Sequence, residues 1–268
     1  MKIGWLADGV GTPYGAELDC SAWLEQKPDW AEVVHCPAWK RPPADVEAFV
    51  VHNCVRYDSR WIGAFGDRPV VKFVHDAWIT GSPVLRRWLL DNCSLLMFYS
   101  PAQFEELAYS CDAGKVVYVP AAVDLQRFRD AALPSDERWG NVFVGRLDPA
   151  KGVTAAIDWA LVNGEPLDIY GDGPAAGHIG RDSLPGGIRF WGRVDYGAVP
   201  GILGGAKRFI FLPLVQEHYG RVFVEAWAAG CELVVNGAIG ALWWMEHDRD
   251  GIARSGELFW GGIKEALC

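Results

Sequence analysis

The apolar positions of this chain fall into two alternating patterns. Short continuous runs at 2–7, 32–36, 48–52, 70–75, 95–100 and 116–119 are separated by longer mixed stretches. Directly after the first run, Ala16, Cys20, Trp23 and Leu24 recur at helical spacing. A short apolar run bounded by turn residues suits a strand buried on both faces, as in a parallel sheet covered by helices. The stretch AALPSDERWG (131–140) is polar and punctuated by Pro and Gly, and it reads as a linker. Beyond it the alternation restarts, with runs at 142–145, 167–171, 188–191, 209–212 and 233–236. The predicted fold class is α/β: two Rossmann-like domains, 1–132 and 133–250, facing each other across a cleft, with a tail over 251–268. In open parallel sheets ligands bind beyond the carboxyl ends of the strands, so the loops that follow the strands are where chemistry is expected.

Composition narrows the class. Half of the 268 residues are hydrophobic and 14 are Trp, ample material for a packed core. No apolar run reaches the ~18 residues that span a bilayer, so no integral membrane segment is expected. The start, MKIGWLADGVGTPYG, lacks the long apolar stretch and small-residue cleavage pattern of a signal peptide, and a cytoplasmic location is expected. The seven Cys are scattered and form no CxxC pair, which suits buried thiols in a reducing compartment. The net charge is −9, and both halves are mildly acidic. No Lys/Arg run suggests a groove tracking a nucleic-acid backbone or an anionic membrane.

Four loops carry candidate chemistry. GRLDPAKG (145–152) follows a predicted strand, and its glycine permits a sharp turn. Arg146 and Lys151 then place two cations ahead of a helix, a combination suited to a diphosphate or equally to an ordinary turn with solvated charges. GDGPAAG (171–177) has the glycine spacing of a dinucleotide loop, but Pro174 and the loop-like residues beyond it do not read as a crossover helix. The acidic residue about twenty positions on that would hold a ribose is also missing, since 191–194 reads WGRV. Trp191 and Arg193 at the next strand end suit a base-binding slot or, for Trp191, a core position. In QEHYGRVFVEAWAAG (216–230), Phe223, Ala226, Trp227 and Gly230 form one helical face after a Tyr219-Gly220 turn. Glu217 then lies before the helix and Glu225 about one turn inside it. There they are placed to meet a ligand's hydroxyls beside a phosphate at the helix start, or simply to face solvent.

Taken in order, these segments resemble the GT4 family of retaining glycosyltransferases with the GT-B fold, of which this would be an unusually short member. VFVGRLDPAKG resembles the family's diphosphate loop, DIYGDGP its second Gly-rich loop, FWGRV its base-contacting segment, and Glu217 to Glu225 its E-x7-E signature. In the first half the match is looser. Gly11 to Gly15 resembles the family's first Gly-rich loop with Tyr14 interrupting its glycine pair, and VHDAW resembles its His-Asp segment. SPAQFEEL and VPAAVDLQRF resemble two further segments, with Ala122 where the family has Gly. The expected glycine pair after the last strand appears as Gly237-Ala-Ile-Gly240.

The resemblance implies transfer of a sugar from a UDP-, GDP- or ADP-linked donor with retention of configuration. It implies no metal and no further cofactor. His75, Glu217, Arg146 and Lys151 are the implied catalytic residues. Gly15, Gly145, Gly171, Gly173, Trp191, Arg193, His218, Tyr219, Gly220, Arg221, Val222 and Glu225 are the implied donor-binding residues. The first domain would face the acceptor (another sugar, a lipid carrier, a small metabolite, a protein or a nucleic acid), and the tail would pack back on that domain. The one Asp-x-Asp, Asp248-Arg249-Asp250, reads as a solvated turn rather than the metal site of a different glycosyltransferase class. A non-catalytic nucleotide-sugar binder and an NAD(P)-dependent oxidoreductase stand as alternatives.

Overall fold

A computed structural model of the chain describes residues 1–8, 15–76, 80–107, 111–179 and 186–267. The chain divides into two compact units. Unit 1 comprises Met1–Ala122 and Trp243–Cys268, and unit 2 comprises Val123–Leu242.

Unit 1 begins with β1 (Lys2–Leu6), α1 (Gly15–Glu25), β2 (Glu32–His35), β3 (Ala48–Val51), α2 (Arg60–Phe65) and β4 (Val70–Phe73). It continues with α3 (Pro83–Asn92), β5 (Leu95–Phe98), α4 (Pro101–Leu107) and β6 (Val116–Tyr118). The strands form one parallel sheet in the order β2-β1-β3-β4-β5-β6. Strands β3, β4 and β5 (AFVV, VVKF and LLMF) are buried at every position, which is why they read as apolar runs, broken only by the buried Lys72 of β4. The edge strand β2 (EVVH) has exposed ends instead.

Unit 2 contains α5 (Leu125–Asp130), β7 (Trp139–Val144), α6 (Val153–Asn163), β8 (Leu167–Tyr170), α7 (Ala176–Ile179) and β9 (Ile188–Gly192). Then come α8 (Val199–Gly205), β10 (Ala206–Phe211), α9 (Arg221–Ala228) and β11 (Glu232–Val235). Its parallel sheet runs β11-β10-β7-β8-β9. Counted from β7, this is the strand order 3-2-1-4-5, that of a Rossmann fold without its sixth strand, and the order reverses between β7 and β10. The two loops leaving that switch point are 145–152 and 212–220, both singled out in the sequence. Helix α10 (Ala241–His247) carries the chain into the last part of unit 1, where α11 (Ser255–Leu267) ends it.

Helix α11 belongs to the unit 1 core. Phe259 stacks on Trp23 with ring centroids 4.3 Å apart and planes 3° from parallel. The Trp260 indole donates to the Trp23 carbonyl at 2.8 Å, and the Trp23 indole donates to the Ser255 hydroxyl at 2.9 Å. Ser255 in turn donates to the Pro120 carbonyl at 2.6 Å. The Trp23 and Trp260 indoles thus each find the acceptor that a buried N–H requires.

Candidate functional site

In unit 2 the site is built where the β7 and β10 loops meet. Asp148 caps the short turn 149–151 by accepting from the Ala150 amide at 3.0 Å. The Ala150 carbonyl accepts from the Leu214 amide at 2.9 Å, which ties the two loops together. The Lys151 ammonium then meets the Glu217 carboxylate in a direct ion pair, both side chains more than half covered. Glu217 is also held through its backbone: its amide donates to Ala238 and its carbonyl accepts from Gly240, at 2.9 and 2.8 Å. The segment around Gly237–Gly240 therefore fixes the position of this acid. Arg146 extends into solvent, 68% exposed, with Asp148 the nearest carboxylate at 3.8 Å.

The second Gly-rich loop packs directly against the first. The Leu147 amide donates to Asp172 at 2.9 Å, and the Ala175 amide donates to Leu147 at 2.9 Å. Gly171 has φ 150°, and a Cβ there would overlap the Gly145 carbonyl oxygen. Close backbone approach between loops is thus one reason for glycine at this position, apart from any ligand. Gly173 likewise lies against Leu147.

Helix α9 opens at Gly220, whose φ of 85° is left-handed and whose added Cβ would come within 2.8 Å of Ile239. Tyr219 and Gly220 are buried, while His218, Arg221 and Val222 are half-buried. Glu225 is 3% exposed. Its Oε1 accepts from the Tyr196 hydroxyl at 2.7 Å and from Arg221 Nε at 3.0 Å, which offsets the cost of burying the charge. Burial, and then the Glu225 carboxylate, hold the Tyr196 phenol well above its ordinary pKa. The Arg127 guanidinium lies 5.2 Å from the centre of the Tyr196 ring. Tyr196 and Arg127 were not singled out from the sequence. Nothing local marks them, because Tyr196 lies 29 positions from the acid it serves.

Trp191 stands on the edge strand β9, two strands from β7, or about 10 Å at ordinary strand spacing. It is 55% exposed and lies parallel to Tyr170, with ring centroids 6.1 Å apart. Its indole N–H donates to Asp168 at 2.8 Å, and the same carboxylate takes two bonds from Arg189. Arg193 is exposed just beyond.

His75 lies in unit 1 and is 6% exposed. Asp19, itself buried, accepts from the Tyr99 hydroxyl at 2.5 Å. The phenolic oxygen, having donated its own proton, accepts from His75 Nδ1 at 2.7 Å. A neutral His75 then presents bare Nε2, which accepts from His52 Nδ1 at 2.9 Å. Burial lowers the pKa of both imidazoles well below the ordinary range, with the nearby Lys72 charge acting in the same direction. Cys20, His52 and His75 bring ligand atoms within 4.8 Å of one another, a cluster with metal-binding donors. However, the imidazole–imidazole bond occupies it, and the buried Lys72 ammonium, donating to the His52 carbonyl at 2.6 Å, opposes a second cation beside it. Asp248 caps the turn 249–254 by accepting from the Gly251 amide at 2.9 Å and pairs with Arg254 at 3.2 Å. Gly15 is exposed at the start of α1, whereas Gly11, Tyr14 and the Ala-Trp of VHDAW lie outside the described residues.

Residues 140–258 match the family model described as Glycosyl transferases group 1. No curated protein matches the chain by sequence. Solved structures match it along nearly its whole length. Anabaena HepE, in a complex with UDP and glucose, is 18% identical with a TM-score of 0.69, over 99% of this chain and 94% of that one. AviGT4, a glycosyltransferase involved in avilamycin A biosynthesis, is 15% identical with a TM-score of 0.63 over 99% and 94%. Sucrose-phosphate synthase from Thermosynechococcus elongatus is 15% identical with a TM-score of 0.66 over 99% and 91%. The two parallel sheets with alternating helices are those of the GT-B fold, in agreement with the fold class read from the sequence.

Proposed function

We propose that the protein is a glycosyltransferase that takes a sugar from a nucleotide-diphosphate donor bound to unit 2. The observation that carries this reading is the meeting of Lys151 and Glu217 at the switch point between β7 and β10, beside the start of α9. A donor diphosphate at this place draws its developing charge stabilisation from Lys151, Arg146 and the N-terminal end of α9. Those groups supply the role that a metal plays in other transferases, so transfer proceeds without one. Glu217, released from Lys151 by the incoming phosphate, hydrogen-bonds the donor sugar. Glu225 holds the ribose through Oε2, because Tyr196 and Arg221 both occupy Oε1. Unit 1 carries the acceptor side. His75 there reaches a sugar hydroxyl through its ring only by exchanging the His52 partner.

Retention of anomeric configuration and uridine as the donor base complete the proposal, the latter supported by the UDP ligands of HepE. None of the described helices is long and apolar enough to cross a membrane, which fits the cytoplasmic location proposed for such a donor. The test is a thermal-shift panel of UDP-, GDP- and ADP-sugars alongside NADH. Binding to the folded state raises the midpoint, so a UDP-sugar shift is expected. A shift with NADH alone refutes the reading. The product's anomeric configuration checks retention, and activity in EDTA checks metal independence. Slow release of UDP from a bound UDP-sugar separates an enzyme from a mere binder.

A further inference from the structure

We propose that unit 1 carries a second ligand site, a basic groove that takes a phosphate ester attached to an apolar body. The groove has a volume of about 600 Å³ and lies between α2 and the segment that follows β2. That is the size of a small-molecule pocket rather than of a polymer track. Lys40, Arg41, Arg60 and Arg68 line it, and no carboxylate does.

In a chain of net charge −9 this local excess of cations stands out. Asp45 pairs with Lys2 at 2.6 Å and Glu47 lies 3.9 Å from the N-terminal amine, so both acids have cations outside the groove, whereas Asp58 pairs with Arg60 at 2.7 Å and neutralises that groove cation. Arg68 spends its donors on backbone carbonyls, among them Phe65 and Val46 at 3.0 and 3.1 Å. It contributes charge to the groove but few free N–H groups. Lys40 and Arg41 are exposed, and neither has an ion-pair partner among the described residues. A guanidinium fork beside an ammonium matches a phosphate, which accepts from both at once.

The walls supply the second half of the specificity. Trp61 is buried, and its indole donates to the Ala38 carbonyl at 3.2 Å, which fixes the segment carrying the two free cations. Trp39 is 80% exposed at the rim. An indole left in water beside a cation pair gains by covering an apolar ligand body once the phosphate is seated. The segment also leaves the carboxyl end of β2, the edge of the sheet at which doubly wound folds bind ligands.

The test uses the full chain and two sources of the same chemistry. One arm titrates monomeric dihexanoyl phosphatidic acid, with inorganic phosphate as a control. The other sediments phosphatidylcholine vesicles with and without phosphatidylglycerol. Binding in either arm is expected, and Lys40→Ala/Arg41→Ala together should weaken it at least ~10-fold at low salt. Trp39→Ala should weaken the ester but not inorganic phosphate. Both variants alter exposed side chains, so an unchanged thermal midpoint is expected, and UDP affinity should not move. Binding only to anionic vesicles assigns the phosphate to a lipid surface, and binding of the monomeric ester assigns it to a free ligand. No binding by the wild type in either arm, or undiminished binding by the double variant, overturns the site. Because UDP binding is measured separately, the donor reading fails or stands independently of this result.

Discussion

Glu225 shows what a buried acid needs and what that implies for its substitution. Tyr196 and Arg221 both donate to one carboxylate oxygen, so removing the acid takes away the acceptor of a half-buried phenol and one bond of a half-buried guanidinium. Glu225→Ala should therefore weaken UDP binding ~10-fold or more and also lower stability by about 1–3 kcal/mol. Tyr196→Phe removes one of the same hydrogen bonds but leaves the carboxylate, so it should lower stability with a smaller effect on UDP affinity. Equal losses of UDP affinity in the two variants, by calorimetry, would show that Glu225 acts through packing alone. Glu217 differs because its partner, Lys151, is a side chain that the proposed donor would also engage. Glu217→Gln keeps the shape and loses the charge, and it should slow transfer by roughly 100-fold with UDP affinity little changed. Single-turnover rates against calorimetric affinity separate the two effects. The sequence marked Lys151 in the loop leaving a strand and the two acids on either side of the Tyr219-Gly220 turn. It did not mark Tyr196, Asp168, Asp19 or Tyr99, whose bonds to Glu225, Arg189 and Ala122 and to one another join residues 21 to 103 positions apart, where spacing holds no signal.

At the scale of elements, the eleven strands among the described residues lie where the apolar runs predict, and those buried at every position, such as β3 and β5, leave the most continuous signature. Their starts are less legible. β7 begins at Trp139 inside the stretch read as a linker, and β10 begins at Ala206, ahead of Lys207 and Arg208. Lys207 is exposed and Arg208 is held by Glu165 and Glu232, so polar side chains begin a strand whose backbone already pairs. The short helices α2 and α4, six and seven residues long, are too brief to show a helical period at all. Helix α11 carries the clearest energetic consequence. Phe259 is fully buried against Trp23, so Phe259→Ala opens a cavity inside the aromatic cluster and should cost about 3–5 kcal/mol. Urea unfolding would show it as a lower midpoint, whereas the exposed neighbour Gly261→Ala should raise the midpoint slightly by its helix propensity. A Phe259→Ala midpoint equal to wild type would mean that α11 contributes little to unit 1.

For the whole molecule, a net charge of −9 sits outside two cores, one of which contains a chain of buried polar groups. Asp19, Tyr99, His75 and His52 run in series through unit 1, with Lys72 alongside. This chain holds both imidazoles neutral, and the sign of the resulting pH dependence follows. Their folded pKa values lie well below the ordinary value of 6.5, so as pH falls through that value the unfolded chain takes up protons that the folded one refuses. The stability they permit is whole above about pH 6.5 and declines below it, by roughly 1 kcal/mol per pH unit for each imidazole. Glu17, raised by burial and by Asp8 and Asp76, acts in the opposite direction, and only in the acidic range of a carboxylate. Exposed pairs such as Lys2–Asp45 and Arg60–Asp58 weaken only when their carboxylates protonate, below this window. Urea midpoints should therefore be level from pH 8 to pH 7 and fall steeply between about pH 6.5 and pH 5. Replacing His52 by Asn should flatten that fall by about half, even if it lowers stability at every pH, because one of the two protonation sites is gone. A wild-type profile level down to pH 5 would mean that the imidazoles accept protons in place, and that the Asp19–Tyr99–His75–His52 chain tolerates a charge that its burial forbids.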